Sequence, residues 1–232
     1  MSLKDPLVTI AESLDAAGRS RTPREVFCYA ALGDSFTAGT GCPPGESWAD
    51  RLATSLGAVH SSFGYLNLAA EGATSAQVLE QVAPALQLEP DLVTLVCGTN
   101  DVLTSVRPDV DGYAKRLTEI LERLRAGVSS VAILTATSPE HWRFLDLRPR
   151  TRARVHGAIR DLNRVTRSIA ERQGVPCLDV ANHPGLHQRE NFSRDGLHPS
   201  PVGHARAAVE FARALHHHFG IESATTREES AR

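Results

Sequence analysis

The sequence has no apolar run long enough to cross a bilayer, for which about 20 consecutive apolar residues are needed. Residues 1–20 carry charges throughout, so the uninterrupted apolar stretch of a secretory signal is missing. The formal net charge is only −2, which gives no reason to expect nucleic acid or an anionic membrane as a partner. We therefore expect a cytoplasmic protein with no nucleic-acid partner and no stable membrane anchoring. The sequence leaves the oligomeric state open.

Motifs for nucleotide and metal chemistry are also absent. There is no G-x-G-x-x-G, no P-loop and no H-E-x-x-H, and the four cysteines show no C-x-x-C spacing. Cys28 and Cys97 lie in apolar, strand-like runs, where a reduced thiol packs as a small hydrophobe. The consecutive histidines at 216–218 lie on a predicted helix and so face different directions, which argues against a shared metal. We expect neither a cofactor nor a metal.

What the sequence does contain is an alternation of apolar runs with amphipathic helical segments. The predicted strands are residues 26–32, 65–68, 92–97, 130–135 and 175–180. Continuously apolar strands that alternate with helices are typical of a parallel sheet covered on both faces. We predict an α/β fold, a three-layer α/β/α sandwich with a five-stranded parallel sheet. It forms a single domain over residues 1–221, with an N-terminal helix at about 5–18 and a polar, flexible tail at 222–232.

Polar groups follow four of the predicted strands. Ser35 follows the first strand and Gly72 the second, while Asn100 follows the third. Asp195 and His198 come after the fifth. Because the carboxyl ends of parallel strands meet at one edge of a sheet, these groups can converge. Acyl transfer requires a nucleophile, a base, a carboxylate that orients the base, and donors for the oxyanion.

Each of these residues has a simpler role when it is considered alone. Ser35 suits the N-cap of a helical turn, and Asp195 could cap the turn before Pro199. Asn100 could belong to an ordinary turn, and His198 could be a surface residue. Their shared position at the ends of strands favours the chemical role.

Four sequence blocks carry these residues. They are Gly-Asp-Ser at 33–35, Asn-Leu-Ala-Ala-Glu-Gly-Ala-Thr-Ser at 67–75, Gly-Thr-Asn-Asp at 98–101 and Asp-Gly-Leu-His at 195–198. In content and order they resemble the four blocks of the SGNH hydrolases, the GDSL-type esterases and lipases. The resemblance implies the flavodoxin-like SGNH hydrolase fold.

The resemblance also implies a role for each matching residue. Ser35 would be the nucleophile, and His198 with Asp195 would complete a catalytic triad. The N–H groups of Ser35 and Gly72 and the side chain of Asn100 would form the oxyanion hole. The implied function is a serine esterase that hydrolyses carboxylic esters of small-molecule or lipid substrates through an acyl-enzyme. The alternatives are an acyltransferase with an alcohol acceptor, or a non-catalytic binding module on the same fold.

Two further predictions concern the surroundings of this site. We expect Asp34 and Asp101 to hold loops by accepting hydrogen bonds from backbone N–H groups. Loop 137–150 follows the fourth strand and should border the site. Trp142 and Phe144 in this loop could wall an apolar pocket, and Arg148 could bind an anionic group of the substrate. Alternatively, the aromatic residues pack the loop onto the domain, and the arginine belongs to a solvated helix start.

Overall fold

The computed structural model describes residues 26–140 and 143–231. Its strands form one parallel sheet with the order β2-β1-β3-β4-β5. They are β1 (Phe27–Gly33), β2 (Phe63–Asn67), β3 (Leu92–Val96), β4 (Ala132–Ala136) and β5 (Cys177–Leu178). The predicted α/β class with a five-stranded parallel sheet is confirmed.

Helices cover both faces of this sheet. They are α1 (Ser35–Ala38), α2 (Trp48–Gly57), α3 (Ser75–Glu80), α4 (Val82–Gln87), α5 (Thr99–Leu103), α6 (Val110–Gly127), α7 (Pro149–Arg172), α8 (Pro201–Phe219) and α9 (Ala224–Ser230). Two short 3₁₀ helices, Pro184–His187 and Arg189–Asn191, lie between β5 and α8. None of the helices in the described residues is long and apolar enough to cross a membrane.

The two faces of the sheet carry separate apolar cores. Side chains alternate along a strand, so Ala31 and Leu32 of β1 belong to opposite cores. Leu32 packs with residues of α6 and α7, such as Leu121. Ala31 packs with residues of α2 and α8, such as Trp48 and Phe211. Helices on both sides of a central sheet give the three-layer sandwich.

The strand order creates a crevice beside β1. The chain runs from β1 out to β2 and then returns to β3 on the other side of β1. Such a switch point leaves room for a ligand at the carboxyl ends of the strands. At Gly33, the last residue of β1, an added Cβ would lie 2.5 Å from the carbonyl oxygen of Val96. Glycine therefore lets β1 and β3 approach closely at the point where Ser35 leaves the sheet.

The fifth strand is shorter than predicted. Only Cys177 and Leu178 pair with β4. Pro176 has no N–H to offer a ladder, and the N–H of Val180 turns back to the carbonyl of Leu178 at 3.0 Å. The predicted N-terminal helix at about residues 5–18 lies outside the described residues.

The C-terminal segment also differs from its prediction. We expected a flexible polar tail at 222–232, but most of it forms α9. The Ser223 hydroxyl caps this helix, and the Ser55 hydroxyl of α2 accepts the N–H of Thr225 at 3.0 Å. The polar residues of this segment thus form local caps and a docking contact, and composition alone gives no sign of either.

Candidate active site

Ser35, His198 and Asp195 form one continuous chain of hydrogen bonds. The Oγ of Ser35 lies 2.9 Å from Nε2 of His198, and Nδ1 of the same ring lies 2.6 Å from Oδ2 of Asp195. Ser35 begins α1 and is 4% exposed. The Phe36 ring packs at a tilt against the imidazole, with 5.7 Å between ring centres. The three residues that were predicted as a group are therefore brought into direct contact.

Asp195 is held in its ionised form. Its Oδ1 accepts hydrogen bonds from the Ser193 hydroxyl at 2.7 Å and from the N–H groups of Leu197 at 2.8 Å and His198 at 3.0 Å. Burial alone would raise the pKa of this carboxyl, but the hydrogen bonds it accepts lower the pKa well below its ordinary value.

The charge of Asp195 fixes the tautomer of the neutral imidazole. A carboxylate has no hydrogen to donate, so the hydrogen between it and Nδ1 belongs to His198. Nε2 is then an acceptor, and the Ser35 hydroxyl donates to it. This is the direction in which a proton must move from serine to base.

The segment that carries His198, residues 189–199, is called the histidine loop below. Gly196 in this loop has φ +73°, a left-handed conformation that favours glycine. A Cβ at Gly196 would lie 2.2 Å from the carbonyl oxygen of Phe144, so only glycine fits against that backbone. The Phe144 ring packs against Phe192 with 5.1 Å between centres, and the Arg189 guanidinium lies 5.5 Å from the Phe144 ring centre. Phe144 thus supports the histidine loop.

The other two residues predicted to bind substrate are placed differently. Arg148 is exposed and immediately precedes α7. Trp142 lies outside the described residues. A role for Trp142, Phe144 or Arg148 in contacting substrate stays a prediction.

The segments that carry the predicted oxyanion donors are tied to one another. The N–H of Ala70 donates to the Gly33 carbonyl at 3.2 Å, and Nδ2 of Asn100 donates to the Ala73 carbonyl at 3.0 Å. Gly72, between these two contacts, has φ +73° with open space where a Cβ would be. Because a side-chain amide has two N–H bonds, Asn100 keeps a second hydrogen for another acceptor.

Asp101 of α5, which follows β3 closely, holds the first residue of α3 in place. Its Oδ2 accepts the N–H of Ser75 at 2.8 Å, and its Oδ1 accepts the Ser75 hydroxyl at 2.5 Å. Arg116 of α6 donates to the Ser75 hydroxyl at 2.7 Å and forms an ion pair with Asp101 at 3.3 Å. The predicted loop-holding role of Asp101 is confirmed. Sequence reasoning missed Arg116, because one arginine among many on helices carries no signal.

Asp34 holds the first turn of α1. Its Oδ1 accepts the N–H of Phe36 at 3.0 Å, which confirms the predicted role. The side chain is fully buried, and Oδ2 has no hydrogen-bond partner among the described residues. Burial raises the pKa of Asp34 to about 7, even though the bond from Phe36 acts in the opposite direction. A buried acid therefore lies directly beside Ser35.

Two further positioning residues carried no signal in the sequence. His204 of α8 is fully buried, and its Nδ1 accepts the N–H of Trp48 at 3.1 Å while Nε2 faces the Thr40 carbonyl at 3.3 Å. Burial lowers the pKa of His204, so the neutral ring joins these segments. The Gln81 amide pairs with both the N–H and the carbonyl of Gly33, each at 2.9 Å.

An α/β sandwich with a hydrogen-bonded serine, histidine and aspartate at the carboxyl edge of its sheet has the groups that nucleophilic acyl transfer requires. The chain belongs to the GDSL-like lipase/acylhydrolase family, whose model matches residues 31–206. It is a GDSL-type ester hydrolase, as the sequence blocks predicted.

Solved structures of other proteins share this fold. The lipase/acylhydrolase from Enterococcus faecalis is 21% identical, with 82% of this chain and 95% of that chain covered and a TM-score of 0.65. The psychrotrophic esterase EstA from Pseudoalteromonas sp. is 20% identical, with 81% and 96% covered and a TM-score of 0.65. The acetyl xylan esterase AlAXEase is 18% identical, with 82% and 100% covered and a TM-score of 0.67. No curated protein matches the chain.

Proposed function

We propose that this protein is a serine esterase that hydrolyses carboxylic esters of small-molecule or lipid substrates through an acyl-enzyme on Ser35. The observation that carries the proposal is the unbroken hydrogen-bond chain from Ser35 Oγ through His198 to the ionised Asp195. A serine hydroxyl is a weak nucleophile unless a base removes its proton during attack. His198 has the tautomer and the distance that this step requires.

In the acylation step, Ser35 Oγ attacks the ester carbonyl carbon, and its proton passes to Nε2 of His198. The carboxylate of Asp195 stabilises the imidazolium that forms. The new oxyanion accepts hydrogen bonds from the N–H groups of Ser35 and Gly72 and from Nδ2 of Asn100. His198 then gives its proton to the leaving oxygen, the carbon–oxygen bond breaks, and the alcohol departs.

Deacylation uses the same groups in the opposite direction. A water molecule attacks the acyl carbonyl carbon while His198 takes its proton, and the oxyanion donors stabilise the second tetrahedral intermediate. The bond to Ser35 breaks, the serine oxygen regains a proton from His198, and the carboxylic acid leaves. If an alcohol replaces water in this step, the same machinery is an acyltransferase.

The first experiment tests the nucleophile and base as a unit. Ser35→Ala and His198→Ala should each lower kcat for p-nitrophenyl butyrate by roughly 10⁴-fold or more, and the double variant should be little worse than either. The matched control is Ser61→Ala. Ser61 is an exposed serine just before β2, so it lies at the amino ends of the strands, away from the carboxyl ends that carry the site. Losses that multiply in the double variant would contradict the assignment.

A second measurement separates the alternatives. With methanol added to the same ester, a hydrolase releases mainly the free acid, whereas an acyltransferase releases mainly the methyl ester. A folded protein with no Ser35-dependent turnover of any ester would instead be a binding module.

A further inference from the structure

An apolar cavity of about 140 Å³ lies between the sheet and α8, beneath the histidine loop. Its floor is formed by Val96, Ala136 and Leu178, the last residues of β3, β4 and β5. Its opposite wall includes Ala207 and Phe211 of α8. Because these strands are neighbours in the sheet, the cavity runs across the carboxyl edge from the centre of the sheet towards β5.

One end of this cavity is lined by residues adjacent in the chain to the proposed catalytic groups, although Ser35, Gly72, Asn100 and His198 do not themselves line it. Three of the lining residues are chain neighbours of groups in the mechanism. Phe36 follows the nucleophile, Thr99 precedes the amide of the oxyanion hole, and Pro199 follows the base. The Phe36 ring lines the cavity and also packs against the ring of His198. The cavity therefore lies next to the place where an ester carbonyl would be attacked, with the Phe36 ring between the cavity and the His198 ring.

The other end, at the edge strand β5, carries charge. Asp179 lines the cavity there and is bound by Arg167 at 2.7 Å and Asn182 at 2.8 Å. His183 also lines this end, and Leu186 of the first 3₁₀ helix covers it. An apolar chain that extends past this point would meet a solvated ion pair, so the apolar interior has a definite length.

We propose that this cavity binds the acyl group of the substrate, and that it selects short acyl chains of about four to six carbons. The inference rests on the proposed esterase function. The acyl group stays attached to the enzyme through both half-reactions, whereas the alcohol must leave before water enters. A largely apolar cavity suits the part that stays. The size follows from the volume, since an apolar protein cavity of roughly 150 Å³ holds one benzene molecule.

The proposal predicts a chain-length profile. Because burial of one methylene favours binding by about fourfold, kcat/KM for p-nitrophenyl esters should rise by roughly that factor per carbon from acetate to about hexanoate. It should stop rising, or fall, at octanoate and decanoate. A flat profile from acetate to decanoate would overturn the proposal.

Substitutions in the α8 wall and at the β5 end of the cavity should shift this profile in opposite directions. Ala207→Leu adds three carbon atoms inside the cavity, so the hexanoate-to-acetate ratio of kcat/KM should fall at least tenfold. Leu186→Ala opens the far end, so the octanoate-to-hexanoate ratio should rise severalfold. The matched control is Ala205→Leu on the same helix, which faces away from the cavity among residues such as Arg51 and should leave both ratios unchanged.

The outcomes distinguish the cavity from the esterase function itself. Rates are expressed per active site titrated with a phosphonate inhibitor, and melting temperatures confirm that each variant folds. If acetate hydrolysis depends on Ser35 but Ala207→Leu and Leu186→Ala keep wild-type ratios, the cavity proposal is wrong and the esterase proposal stands. If Ala207→Leu changes the preference among acetate esters of different alcohols instead, the cavity binds the alcohol and the proposal is also wrong. Loss of Ser35 dependence would contradict the esterase proposal.

Discussion

Replacing Asp34 with asparagine should make the protein more stable at neutral and alkaline pH. The carboxyl is fully buried with one oxygen unpartnered, and burial raises its pKa from 3.8 to about 7. Asparagine has nearly the same shape as the protonated acid, and its Oδ1 can still accept the N–H of Phe36. The variant therefore keeps the N-cap and removes the need to bury a charge or retain a proton.

The expected size follows from the two pKa values. Between them, the folded protein keeps a proton on Asp34 that the unfolded chain has lost, so wild-type stability falls as pH rises. Integrating this linkage from 3.8 to about 7, at 1.36 kcal/mol per pKa unit, gives a penalty of about 4 kcal/mol at pH 8 and about 2 kcal/mol at pH 5. The stability advantage of Asp34→Asn should grow by roughly 2–3 kcal/mol over this range.

Urea denaturation of wild type and Asp34→Asn at pH 5, 6, 7 and 8 measures this growth directly, provided that the slopes with urea agree. The control is Asp111→Asn, which removes an exposed carboxylate from α6. An advantage for Asp34→Asn that is the same at every pH, or that shrinks as pH rises, would refute the reasoning.

Two further predictions concern positioning and chemistry. Asn100→Ala should lower kcat by roughly 10²–10³-fold with little change in KM, which is the usual loss when one oxyanion donor is removed. A raised KM at unchanged kcat would instead make Asn100 a substrate-binding residue. Burial lowers the pKa of His204 from its ordinary value of 6.5. Below about pH 6.5 the histidine is therefore protonated in the unfolded chain but stays neutral in the folded protein, so the free energy of unfolding falls as pH falls. His204→Ala removes this dependence, so its destabilisation in urea should be smaller at pH 5 than at pH 8, and a pH-independent gap would contradict the buried neutral ring.

The residues proposed to do chemistry could be found in the sequence because each lies in a short local block at the end of a strand. Ser35 follows a continuously apolar run, and Asn100 follows another, so the parallel sheet brings both to one edge. His198 and Asp195 are three positions apart in a single loop. The hydrogen bonds between the blocks could then be expected from topology.

The contacts that hold this site together could not be found in the same way. Gln81 binds Gly33 across 48 positions of the chain, and His204 binds the N–H of Trp48 across 156 positions. A polar residue on a helix gives no sign in the sequence of whether its side chain faces solvent or a distant loop. The apolar cavity is likewise a product of packing between strands and α8, and no local pattern describes its volume.

The central claim is that Ser35 carries the acyl group, and covalent trapping tests it most directly. A fluorophosphonate should modify the active protein once, and peptide mass spectrometry should locate the adduct on Ser35, with no labelling of Ser35→Ala. Labelling that persists in Ser35→Ala, or an esterase-active preparation that accepts no label, would contradict the account.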